Sequence, residues 1–112
     1  MHEILKQIII NNSNFINNTA DNGGAVYWEG SNGTENNCNF TGNSADNGGA
    51  IYWYGYNGNV NNSIFADNKA AQNGGAVNWQ GTNGTATVCK FTSNSAGFDG
   101  GAIAVAQSIL RI

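Results

Sequence analysis

The sequence predicts an all-β protein, a right-handed parallel β-helix (β-solenoid) of about four coils of 25–26 residues. Three observations carry this expectation. Gly-Gly-Ala recurs at Gly23-Gly24-Ala25, Gly48-Gly49-Ala50, Gly74-Gly75-Ala76 and Gly100-Gly101-Ala102, at intervals of 25, 26 and 26 residues. Phe15, Phe40, Phe65 and Phe91 keep step with it. Between these marks lie short apolar segments that alternate every second residue and are bounded by Gly and Asn. A unit of this length cannot bury its own apolar face, whereas units stacked in register can. Parallel crossovers are right-handed by default.

Taken in order, residues 1–10 fall outside the repeat and are read as an irregular N-terminal segment or cap. His2-Glu3-Ile4-Leu5-Lys6-Gln7-Ile8 lacks the basic start and unbroken apolar core of a secretory signal. Coils are expected near residues 11–35, 36–60, 61–86 and 87–105, so the solenoid spans 11–105. Three residues after each Phe stands Asn18, Asn43, Asn68 or Asn94. Stacked identical amides pass hydrogen bonds from coil to coil, so this column reads as structural. Ala20, Ala45, Ala70 and Ala96 follow two residues later. The third and fourth copies carry an extra residue near Ala71-Gln72 and Gly97-Phe98. Insertions sit in exposed turns, so the stretch before Gly-Gly is predicted to be a loop. Val26-Tyr27-Trp28, Ile51-Tyr52-Trp53 and Val77-Asn78-Trp79 are predicted strands with Trp28, Trp53 and Trp79 facing the core. Asn32-Gly33, Asn57-Gly58 and Asn83-Gly84 supply turns. A second strand ends at Phe, as in Asn37-Cys38-Asn39-Phe40, with Cys38 or Cys89 on the Phe face. Residues 106–112 leave the pattern and are read as a C-terminal segment or cap.

Composition narrows the function classes. The chain has 21 Asn, 16 Gly and no Pro, and 10% of its residues are charged. A net charge of −3 with three Trp, four Tyr and five Phe argues against a disordered tail. Two Leu are too few for leucine-rich repeats, and a propeller blade needs about 40 residues. Four basic residues argue against nucleic acid as a partner. No apolar run approaches the roughly 20 residues of a membrane span.

The pairing of Phe-x-x-Asn (Phe15 to Asn18, Phe40 to Asn43, Phe65 to Asn68, Phe91 to Asn94) with Gly-Gly-Ala-Ile/Val resembles the polymorphic outer-membrane protein repeat of chlamydial autotransporters. The fuller unit, Gly-Gly-Ala-Ile-Tyr-Trp followed by Asn-Gly-Thr and Asn-x-Phe, resembles adhesin-like surface proteins of methanogenic archaea more closely still. The likeness covers about residues 11–105. It implies a right-handed β-helix in an extracellular, cell-surface adhesin and brings no catalytic residues with it. Such proteins have more coils, a signal sequence and an anchoring segment.

The residues themselves point away from catalysis and from a cofactor. His2 is the single His and Arg111 the single Arg, so a His-dependent triad has no basis. Asp21 and Asp46 share a column one coil apart and form a weak candidate cation pair, against the plainer reading of two solvated carboxylates. A polysaccharide-active β-helix enzyme would need a richer carboxylate cluster. Cys38 and Cys89 share a column two coils apart, about 10 Å, with Ser63 between them. That is too far for a disulfide, so both are expected free. Six Asn (Asn11, Asn17, Asn32, Asn39, Asn61 and Asn83) precede x-Ser/Thr, which agrees with export. The exposed columns lack the unbroken Thr rows of an ice-binding face. The remaining candidate is the outward face of the Gly-Gly-Ala strands: Tyr27, Glu29, Tyr52, Tyr54, Tyr56, Asn78 and Gln80. Aromatic and amide groups on a flat sheet suit glycan or protein partners on host or partner cells. A non-binding stalk requires the same solenoid and is the alternative. Uncapped ends would favour end-to-end self-association.

Overall fold

A computed structural model describes residues 9–105 and 110–111. The expected end segments therefore lie largely outside the described residues. The described chain contains strands and no helix, wound as a stacked parallel solenoid of about four coils. The first coil carries β1 (Ile9–Asn11), β2 (Asn14–Ile16) and β3 (Val26–Trp28). The second carries β4 (Thr34–Asn36), β5 (Asn39–Thr41), β6 (Ser44–Asn47) and β7 (Ile51–Trp53). The third carries β8 (Asn59–Asn61), β9 (Ile64–Ala66), β10 (Lys69–Asn73) and β11 (Val77–Trp79). The fourth carries β12 (Gly84–Thr87), β13 (Lys90–Thr92), β14 (Ser95–Ala96) and β15 (Ile103–Val105), and β16 (Leu110–Arg111) begins another turn. The coil is thus four-sided. Its sides are the sheets β1-β4-β8-β12-β16, β2-β5-β9-β13, β6-β10-β14 and β3-β7-β11-β15. Ile9 and Ile10, read from sequence as part of the irregular start, pair with Thr34 and Glu35 in the first of these sheets.

Among the described residues every corner carries a residue in the left-handed region, and this is what Asn and Gly are for. Between the first and second sides stand Asn12, Asn37, Asn62 and Val88; between the second and third stand Asn17, Gly42, Asp67 and Ser93. Gly23, Gly48, Gly74 and Gly100 turn the third corner, and Asn32, Asn57 and Asn83 the fourth. Asn tolerates this geometry, whereas a β-branched side chain does so at a cost of about 1–2 kcal/mol. Val88 breaks the rule, with φ 52° and 77% of its surface exposed. Val88→Asn is therefore expected to stabilise the fold by about 1 kcal/mol, read as a higher urea midpoint with an unchanged slope.

One expectation is corrected. The stretch before Gly-Gly is not a loop but strand, in β6 and β10. The extra residue is absorbed as a bulge: Ala70 pairs with Ala45, but Asn73 pairs with Asn47. Stacking on both neighbours gives this polar segment its hydrogen-bond partners and overrides its turn-like composition.

The core consists of columns that run the length of the solenoid. The rings of Phe15, Phe40, Phe65 and Phe91 stack at 4.8, 4.7 and 4.9 Å. Trp28, Trp53 and Trp79 stack at 4.4 and 5.2 Å and are fully buried. Each indole lies flat against the glycine five residues on: a Cβ at Gly33, Gly58 or Gly84 would sit within 2.4 Å of the ring. In the fourth coil both positions change together, Val105 standing where Trp is expected and Leu110 pairing with Gly84. The Asn column behaves as a hydrogen-bonded ladder. The Asn43 N–H and Nδ2 both donate to Asn68 Oδ1 at 3.0 Å, and Asn68 repeats the pattern onto Asn94 Oδ1. The second amide proton goes to a Phe carbonyl of the preceding coil, as from Asn68 Nδ2 to Phe40. Asn18, at the exposed start of the ladder, donates to Asn43.

Candidate binding face

The fourth side of the solenoid and the turn that follows it carry the proposed site. On β3, β7, β11 and β15 the first and third residues face inward, which turns Tyr27, Tyr52, Asn78 and Ala104 outward in one row. The Tyr27 and Tyr52 rings stack at 5.2 Å with planes 5° apart. Burial and the nearby Glu29 carboxylate and Tyr54 raise the Tyr27 pKa; burial, then Tyr27 and Tyr54, raise that of Tyr52. Both therefore stay neutral phenols at physiological pH.

Beyond the strands the backbone is packed tightly. A Cβ on Gly55 would lie 1.9 Å from the Gly30 carbonyl oxygen, and one on Gly81 the same distance from that of Gly55. This glycine column lets successive turns lie directly on one another and throws Tyr54 and Tyr56 outward, 56% and 58% exposed. The Tyr54 N–H donates to the Trp28 carbonyl at 2.6 Å, and the Gln80 N–H to that of Trp53 at 2.7 Å. Tyr54, Tyr56, Gln80, Gly81 and Thr82 line a cleft of about 350 Å³. A neighbouring cleft of about 470 Å³ is lined by Asn73, Asn78, Asp99 and again Gln80. Gln80 is thus the wall between them, and its Nε2 donates to Asn78 Oδ1 at 2.6 Å.

The sequence-based face is largely brought together, with one correction. Asn78 is not an open surface residue: it is 3% exposed, flanked in register by Tyr52 and Ala104 and bonded to the Gln80 amide. Thr82, a cleft-lining hydroxyl, was not anticipated, because nothing in its Gly-Thr-Asn-Gly setting separates it from a plain turn. Asp21 and Asp46 lie elsewhere, in a cleft of about 440 Å³ on the third side. Lys69 lines that cleft too. Among the described residues no group of three His, Cys, Asp or Glu side chains could hold a metal ion. Cys38 and Cys89 are both free.

Residues 37–52 match the family model of the Chlamydia polymorphic membrane protein repeat. The matched stretch runs from the Asn37 corner through β5 and β6 into β7. No curated protein and no solved structure matches the chain. The match indicates a repeat segment of the kind carried by outer-membrane or surface proteins. Among the described residues no helix is long and apolar enough to cross a membrane.

Proposed function

We propose that this chain is an extracellular adhesive segment of a cell-surface protein, binding glycans or proteins of host or partner cells through the tyrosine face of its fourth side. The observation that carries this reading is the Tyr54–Tyr56–Gln80–Thr82 cleft beside the stacked Tyr27–Tyr52 pair. Folding does not require Tyr in these places: Asn78 and Ala104 occupy the Tyr row in later coils. Rings beside amide and hydroxyl groups are the equipment that sugar rings and their hydroxyls require. Neither cleft on this face is lined by lysine or arginine among the described residues, and Glu29 adds negative charge. Neutral saccharides therefore suit the face better than sialylated or sulfated ones. One site of this kind binds weakly, and repetition along a chain or across a cell raises retention by avidity. The reading brings no catalytic machinery and no cofactor, and it follows the resemblance to chlamydial and archaeal surface repeats.

The test is a glycan array and cell-attachment assay on the whole chain, beside the triple variant Tyr52→Ala, Tyr54→Ala, Tyr56→Ala. With about 0.5–1.5 kcal/mol per stacked ring, binding is expected to weaken at least about tenfold while circular dichroism is unchanged. Attachment that persists in a folded variant would replace this reading with that of a non-binding stalk.

A further inference from the structure

Glu35 occupies an inward position on the first side, where its register neighbours are Ile10 and Val60, followed by Ala86. It is 0% exposed. Its Oε2 is hydrogen-bonded to Ser63 Oγ, itself 1% exposed. Ser63 belongs to a column whose side chains all lie within hydrogen-bond reach of the carbonyl two residues back. Ser13 Oγ donates to the Asn11 carbonyl at 2.8 Å, Cys38 Sγ to that of Asn36 at 3.2 Å, Ser63 Oγ to that of Asn61 at 2.8 Å and Cys89 Sγ to that of Thr87 at 3.5 Å. Each hydroxyl or thiol has one proton; Cys38 Sγ and Cys89 Sγ also reach the Ile10 and Val60 carbonyls at 3.8 and 3.4 Å, and Ser63 Oγ faces two acceptors, the Asn61 carbonyl and Glu35 Oε2. Ser63 Oγ also accepts the Cys38 N–H at 3.1 Å. One Ser63 proton cannot serve both acceptors, so with it placed on Asn61 the contact to Glu35 is completed by a proton on the carboxyl group.

We propose that Glu35 is held as a neutral carboxylic acid in the folded solenoid, donating from Oε2 to Ser63 Oγ, which donates in turn to the Asn61 carbonyl, and that its ionisation is a built-in alkaline limit on the stability of the central coils. The surroundings agree. β1, β8 and β12 present Ile10, Val60 and Ala86 to it, and the titratable groups facing it are the Cys38 and Cys89 thiols. Among the described residues no cation pairs with it: Lys69 and Lys90 are exposed. Burial raises the Glu35 pKa against the lowering effect of its hydrogen bonds. Burial also pushes the Cys38 thiol up to about 12 and raises that of Cys89, so neither supplies a counter-charge. Because the folded pKa lies above the unfolded one, the stabilisation is complete below the ordinary carboxyl range and is lost as pH rises through the folded value.

Two measurements on the whole chain test this. Carboxyl carbon NMR of ¹³C-labelled protein reads the Glu35 protonation state directly, with Glu35→Gln assigning the signal. A protonated carboxyl at pH about 7, well above the ordinary glutamate value, is expected, and an ionised one overturns the proposal. Urea unfolding is then compared between wild type and Glu35→Gln from about pH 5 to 8, where free thiols stay largely protonated. The wild-type folding constant is expected to fall by up to about tenfold per pH unit, while Glu35→Gln lacks that decline and is the more stable form at the upper end. The same pH profile in both forms, or a wild type that gains stability with pH, overturns it. If Glu35→Gln does not fold, the wild-type carboxyl titration decides alone.

Discussion

Replacing Asn68 with alanine is expected to cost about 3–5 kcal/mol, much of the roughly 5–15 kcal/mol that holds a small domain together. The Asn68 amide makes four side-chain hydrogen bonds: two accepted from Asn43 and two donated, to Phe40 and Asn94. It is fully buried. Truncation leaves the Asn43 N–H and the Phe40 carbonyl without these partners, and each buried orphan costs about 1–3 kcal/mol. Asn68→Asp separates shape from hydrogen bonding. The carboxylate can still accept from Asn43, but it has no protons for Phe40 and Asn94. It should therefore be at least as damaging as alanine at neutral pH, and milder in acid, where it regains one proton. Denaturant midpoints for the two variants check both statements.

Gly58→Ala is expected to be nearly as severe, about 2–4 kcal/mol. The new Cβ would stand 2.3 Å from Trp53 Cε2 and 2.4 Å from Nε1. Trp53 cannot move aside, because Trp28 and Trp79 hold it at 4.4 and 5.2 Å. The fourth coil indicates the remedy, since Val105 replaces Trp where Leu110 aligns with Gly84. Trp53→Val alone leaves a cavity and is destabilising. Combined with Gly58→Ala, the total cost should fall short of the sum by at least about 1 kcal/mol, because the clash disappears with the ring. Strict additivity would mean that the two columns do not interact.

The solenoid was legible because a repeat states the same choice several times. Phe, Asn, Trp and Gly-Gly recur in phase, and each column became a physical stack. The extra residue of the third coil was even placed correctly, at Ala71-Gln72, although it forms a bulge rather than a loop. The four-sided coil was not legible. Thr34–Asn36 and Ser44–Asn47 carry Asn, Asp and Glu and read as turn, and only stacking on both neighbours makes them strands. Glu35 was hidden for the same reason: within Thr-Glu-Asn it looks solvated, and its burial shows only against Ile10 and Val60. On the binding face, strand alternation placed the tyrosines outward. It could not foresee that Gln80 would fold its amide onto Asn78.

The central claim is that each coil lies in parallel register on the next, with the offset changing from 25 to 26 residues inside β10. Couplings transmitted through backbone hydrogen bonds, measured by NMR on the labelled chain, test it most directly. The account predicts correlations from the Ser44 amide to the Asn18 carbonyl and from Lys69 to Asn43, both spanning 26 residues, one more than the register of 25. Where the register is 26 it predicts spans of 25 and 27, as from Gly48 to Asn73 past the bulge and from Ser95 to Asn68 on the next coil. Partner numbers that fall along one strand as they rise along the other would reveal antiparallel hairpins and contradict the solenoid, the columns and the binding face built on them.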